Sequence, residues 1–103
     1  EGGLQENAAR LGEFLLAELR ALKRRFPFLG DVRGRGLMIG LDFGDPDHPQ
    51  PDLRDKAVRL AFEKGLLLLP AGPSALRIAP PLVLTQEEAA LGLEILEEVF
   101  RAL

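Results

Sequence analysis

The sequence has no cysteine, tryptophan or tyrosine, one methionine, one histidine and, in Ser74, one serine. Without cysteine, neither a disulfide framework nor thiolate chemistry is open to it, an inventory that suits a reducing cytoplasm. Ser74 lies in a Gly-Pro-Ser turn and His48 has no nucleophile beside it, so a nucleophilic triad would need members from another segment. No unbroken apolar run exceeds the four residues of Leu66–Leu69, against the roughly 20 that a membrane span requires. A formal charge of -3 and a pI near 5.1 give no long-range pull toward nucleic acid or an anionic membrane. The chain shows no signal-peptide pattern and opens on Glu1-Gly2-Gly3 without an initiator methionine. It is expected to be a piece of something longer, with residues 1–103 forming one domain.

What is present is strongly periodic. Leu4, Ala8, Leu11, Leu15, Leu19, Leu22 and Phe26 recur at three- and four-residue spacing with charged residues between them, which predicts an amphipathic helix. Lys23-Arg24-Arg25 suits the helix C-terminus and Pro27 stops it. Beyond Gly30-Asp31, Val32-Arg33-Gly34-Arg35-Gly36 reads as a bend into a strand over Leu37–Phe43. A polar loop from Gly44 leads to Asp52, expected to cap a second helix that carries Leu53, Ala57, Leu60 and Ala61 and ends at Gly65. Leu66–Leu69 reads as a buried strand, Pro70–Pro73 as a turn around Gly72, and Leu76–Ala79 as a strand closed by Pro80-Pro81. Thr85 with Glu88 is a capping box, followed by a helix face of Ala89, Leu93, Leu96, Phe100 and Leu103. The expected fold is α+β: a small, mostly antiparallel sheet with three helices packed on one face.

Few constellations carry chemistry. Gly34, Gly36 and Gly40 precede and occupy a strand, whereas a phosphate loop follows one and opens a helix, so close backbone approach is the better reading. One Arg-Gly-Arg-Gly in an acidic chain is poor support for RNA binding. Asp45, Asp47, His48 and Asp52 lack the ordered spacing of a zinc or calcium site and read as a solvated loop. Arg77 is different. It interrupts an apolar strand, with Leu76 and Ile78 pointing to one face and the guanidinium to the other. A carboxylate is its natural guest, because the planar fork donates two parallel hydrogen bonds; a surface ion pair is the plainer alternative.

Three segments together resemble the C-terminal small domain of class III pyridoxal-phosphate aminotransferases. They are Asp31-Val32-Arg33-Gly34-Arg35-Gly36-Leu37-Met38-Ile39-Gly40, Lys64–Leu69 with Gly72-Pro73, and Leu76–Leu82 with Thr85–Glu88. Within the family the loop Phe43–Asp52 is most similar to that of 4-aminobutyrate aminotransferases, with acetylornithine and related ω-aminotransferases as close alternatives. The resemblance implies a cytoplasmic homodimer acting on small amino and oxo acids, with no nucleic-acid or membrane partner. In it an amino group would pass from an ω-amino acid such as 4-aminobutyrate to 2-oxoglutarate. A large domain absent from this chain would supply the lysine that bonds pyridoxal 5'-phosphate, the aspartate under the pyridine nitrogen and most phosphate contacts. On that reading Lys23, Lys56 and Lys64 are not the cofactor lysine, residues 1–103 hold no catalytic, cofactor or metal residue, and the chain alone is inactive and binds no cofactor. One functional residue carries over: Arg77, as the receptor for the substrate α-carboxylate. Arg33 and Arg35 are expected to serve structure or a domain interface. A free-standing regulatory domain that binds amino acids is the reading from another class, since fold alone does not separate the two.

Overall fold

A computed structural model describes residues 2–35, 38–45, 47–78 and 84–103. The first amphipathic stripe forms helix α1 (Gly2–Arg25), with three cations in its last turn facing the negative end of the helix dipole. Ala8, Leu11, Leu15, Leu19 and Leu22 are buried as the spacing requires; the Leu4 side chain lies outside the described set.

Five strands follow the pattern β1 (Leu29–Arg35), β2 (Met38–Asp45), β3 (His48–Pro49), β4 (Leu69–Ala71) and β5 (Ala75–Ile78). All pairings are antiparallel, in the order β1-β2-β5-β4, with the short β3 on the end of β2. Helix α2 (Pro51–Glu63) stands between β3 and β4, and α3 (Gln86–Ala102) closes the fold. Alternation along the strands divides the sheet: Val32, Ile39, Leu41, Phe43 and Leu76 are buried under the helices, while Arg33, Gly40, Asp42 and Arg77 occupy the opposite, bare face. The α+β fold with three helices on one face is thus as expected.

The core is built from Leu19, Leu41, Leu68, Leu76 and Val99 around an aromatic cluster. The rings of Phe26, Phe28, Phe43 and Phe100 lie with neighbouring centroids 5.6–6.0 Å apart, mostly tilted or edge to face. That arrangement sets the positive edge of one ring on the negative face of the next, worth about 0.5–1.5 kcal/mol per pair beyond burial. Phe100 belongs to α3 and Phe43 to the end of β2, so the cluster ties the last helix to the strand that borders the bare face.

Several expected boundaries shift. The segment read as a bend is a true strand, β1, paired with β2 in register Arg33↔Gly40 and irregular between Leu29 and Val32. Strand β4 begins at Leu69, so Leu66–Leu68 precede it; Leu68 is buried, but Leu67 is 67% exposed and the four leucines are not a buried strand. Asp52 does not cap α2. Gln50 occupies that position without a side-chain bond, and Pro51 starts the helix, its fixed φ and missing N–H suiting the first position. Gly65 does end α2 in the left-handed region, at φ +91°. The Thr85–Glu88 capping box closes in both directions, at 3.1 and 2.9 Å. Ala79, Pro80 and Pro81, expected to finish the last strand, lie outside the described residues, as do Gly36, Leu37 and Leu82. No helix among the described residues is long and apolar enough to cross a membrane.

Candidate functional site

Arg77 projects from the middle of β5, exposed, on the bare face of the sheet. Its cross-strand partners are Gly40 on β2 and Leu69 on β4. Gly40 in turn faces Arg33 on β1, so the row across the sheet runs Arg33, Gly40, Arg77, Leu69. Two guanidinium-bearing positions therefore stand two strand spacings apart, about 10 Å, with a glycine between them.

Their electrostatic states differ. Arg33 lies against Gly40 and binds two acids: Nη1 is 3.0 Å from Asp42 Oδ2 and 3.5 Å from Asp31 Oδ2. A Cβ added at Gly40 would sit 3.6 Å from the Arg33 guanidinium, in ordinary contact. Arg77 makes no ion pair among the described residues. A groove of about 400 Å³ runs past Arg33, Met38, Gly40, Ala75 and Arg77. It adjoins a second of about 440 Å³ that shares Arg33, Ala71 and Ala75 and is walled by Gly72, Pro73 and Ser74. The combination of an open cation, a groove and a neighbouring cation already matched by acids favours an anionic group at Arg77.

The turn between β4 and β5 is held from two sides. Ser74 donates its hydroxyl to the Phe43 carbonyl and accepts from the Gln50 N–H at 2.8 Å, which commits both its proton and a lone pair to structure. From α2, the Arg54 side chain, only 9% exposed, reaches the carbonyls of Ala71, Gly72, Pro73 and Ala75 and pairs through Nε with Asp55 at 2.7 Å. No sequence motif marks Arg54; the one local signal is that it precedes the buried Ala57 and Ala61 by three and seven residues, the spacing of one helix face.

The remaining candidates separate from this groove. Asp45 Oδ1 accepts the N–H groups of Asp47 and His48 at 2.9 and 2.8 Å and faces His48 Nδ1 at 3.2 Å. The His48 ring, more than the two backbone bonds, holds the Asp45 carboxyl below its ordinary value. Among the described residues no three His, Asp or Glu side chains are grouped to hold a metal. Gly34 meets α1 closely: a Cβ there would come within 2.8 Å of Leu16 Cδ1, so this glycine serves helix-sheet packing. The Arg35 side chain lies outside the described set. Lys23, Lys56 and Lys64 belong to helices or their ends, Lys64 pairing with Glu98 at 3.4 Å, and none lines the groove. Among the described residues the groove thus presents the Arg77 guanidinium and no amine; these residues do not fit the covalent attachment of an aldehyde cofactor.

Comparison with known proteins gives a consistent picture. Residues 1–100 match the family described as Aminotransferase class-III. An alanine/serine racemase of Pyrococcus horikoshii is 43% identical over 98% of this chain and 22% of its own length. An acetylornithine aminotransferase of Gloeobacter violaceus is 44% identical over 97% and 24%, and the 4-aminobutyrate aminotransferase of Escherichia coli 41% identical over 94% and 24%. The chain therefore spans about a quarter of the length of these relatives. A solved phospholyase from Arthrobacter superposes with a TM-score of 0.92 at 32% identity, over 99% of this chain and 25% of that one.

Proposed function

This chain belongs to the class III aminotransferase family, and from that premise we propose that it is the C-terminal small domain of a cytoplasmic, homodimeric aminotransferase whose substrate α-carboxylate is bound by Arg77. The observation that carries the proposal is the exposed guanidinium of Arg77 on the bare sheet face, free of any ion pair among the described residues and beside the groove floored by Gly40. In this reading Arg77 donates two parallel hydrogen bonds to the α-carboxylate of glutamate or 2-oxoglutarate and fixes the distance of Cα from the reacting centre. Asp42 keeps Arg33 from competing for the same anion. Pyridoxal 5'-phosphate, bound elsewhere in the whole enzyme, supplies the electron sink. The work of this chain is orientation.

The amino donor is proposed to be an ω-amino acid such as 4-aminobutyrate, a reading supported by the likeness of the Phe43–Asp52 loop and by the Escherichia coli relative. The Gloeobacter violaceus relative supports an acetylornithine-type donor to a similar degree. The test uses the complete gene product that carries this chain, supplied with pyridoxal phosphate, each half-reaction being followed separately. Arg77→Ala is expected to lower kcat/KM with glutamate or 2-oxoglutarate by about 100-fold, as loss of a bidentate charged contact does, and to act much less on a donor that lacks an α-carboxylate. An unchanged glutamate half-reaction removes Arg77 from the site. Parallel assays with 4-aminobutyrate, N-acetylornithine and the enantiomers of alanine and serine decide between the donor readings and racemisation. Ligand binding with no turnover of any of them would favour a regulatory domain.

A further inference from the structure

Among the described side chains, the Arg54 guanidinium stands out because it is buried and, Asp55 on Nε apart, its acceptors are backbone carbonyls of one short segment. Nη1 is 2.8 Å from the Ala75 carbonyl, 3.2 Å from that of Ala71 and 3.3 Å from that of Gly72; Nη2 is 3.4 Å from that of Pro73. Four backbone dipoles of the β4–β5 turn thus converge on a single cation carried by α2. Carbonyl oxygens aimed at a common point repel one another, so a turn of this shape needs a donor at its centre. A lysine offers one point charge on a flexible stem, whereas the planar fork reaches carbonyls through two nitrogens at once. Gly72, at φ +54°, supplies the left-handed residue the turn requires.

The turn is also the wall of the groove. Ala75 precedes Arg77 by two residues and therefore shares its face of the sheet, and Gly72 and Pro73 line the adjoining cavity. Ala75 opens β5, the strand whose register sets Arg77 opposite Gly40, so the Arg54 bond to its carbonyl holds the start of that strand. We infer that Arg54 is a positioning residue for carboxylate binding: by clasping the 71–75 turn from behind, it sets the orientation of Arg77 without touching the substrate. This inference rests on the proposed role of Arg77.

The test is a double-mutant cycle in the complete gene product loaded with pyridoxal phosphate, comparing Arg54→Met, Arg77→Ala and the combination. Arg54→Met is expected to raise KM for 2-oxoglutarate by about tenfold, with kcat changed less than about twofold and little effect on a half-reaction whose substrate has no α-carboxylate. In the Arg77→Ala background the same substitution should add less than about a further twofold, because the group it positions is gone. Multiplying effects, or equal losses in both half-reactions, would overturn the inference and leave Arg54 a plain stabiliser of the fold. If Arg77→Ala alone leaves the oxo-acid half-reaction intact, the carboxylate reading itself fails, an outcome the single variant identifies. Arg54→Lys guards against a Met variant that does not fold. It should show the same KM-selective pattern at smaller amplitude, and a wild-type KM in that variant overturns the need for the planar fork.

Discussion

Arg33 on β1 reaches diagonally to Asp42 on β2, its Nη1 3.0 Å from the carboxylate, on the same bare surface as Arg77. Both side chains are partly exposed, so the pair adds little to stability; its consequence is for the potential over the groove. Asp31, at 3.5 Å, adds a second negative charge to Arg33. Of the two arginines in the row, one is matched within the sheet and the other makes no ion pair among the described residues.

Replacing Asp42 with Asn should therefore strengthen anion binding at Arg77. One unit of charge released about 10 Å away in a largely aqueous setting is worth on the order of 0.5 kcal/mol, a two- to threefold fall in KM for a carboxylate substrate. The gain should vanish at high ionic strength. A KM that does not respond to Asp42→Asn at low salt would place the substrate anion away from this face.

Two glycines should respond in opposite senses to alanine. Gly44 has φ +77° and a Cβ there would run into the His48 carbonyl, so Gly44→Ala is expected to destabilise the protein by about 1–2 kcal/mol or more. Gly92 lies within α3, where a Cβ would meet only Leu66 Cδ1 at 3.9 Å, and Gly92→Ala should stabilise by about 0.5–1 kcal/mol. Denaturant midpoints of the two variants provide the comparison. The same sign for both would contradict the backbone assigned to one of them.

Thr85→Ala removes the side chain that accepts the Glu88 N–H at 3.1 Å. Loss of a capping contact typically costs about 1 kcal/mol, and here the cost should appear as faster amide exchange in the first turn of α3. Protection unchanged from wild type would mean that the box contributes nothing in solution.

Glu97 links α1 to α3 by accepting from Arg25 at 3.0 Å, and it also binds Arg101 one turn on. The hydrogen bond from Arg25 is the main cause of a carboxyl held below its ordinary value of 4.5, with the Arg101 charge assisting. A carboxylate depressed on folding contributes stability that is fully present above its unfolded value and is lost as pH falls through the lower folded one. Acid titration of Glu97→Gln should therefore lose less stability below pH 4.5 than the parent does. Parallel acid curves would show that the helix-helix bridge is not formed.

What the sequence disclosed and what it hid have the same physical root. Helices α1 and α3 announce themselves because every third or fourth residue is apolar and the intervening ones are charged; the capping box at Thr85 and the stop at Gly65 follow from local backbone needs alone. Strand β1 was concealed because its bare-face positions carry Asp31 and Arg33, while Gly34 faces α1 without a side chain to mark the alternation. The leucine run 66–69 has no alternation at all, so the start of β4 could not be placed from it. Arg77 was legible as a cation in an apolar strand. Its relation to Arg33 depends on strand register, and the clasp by Arg54 depends on how α2 docks, neither of which is written in local spacing.

Arg54 belongs to one element and its acceptors to another, so the helix and the hairpin are joined through a single desolvated charge. Fraying of the first turns of α2 would leave four carbonyls without their donor, and loosening of the hairpin would leave a buried guanidinium with Asp55 alone. Neither can open far by itself. The two should behave as one cooperative unit in native-state hydrogen exchange, with the amides of residues 54–57 and 75–78 sharing a common opening free energy although some twenty residues separate them in the chain.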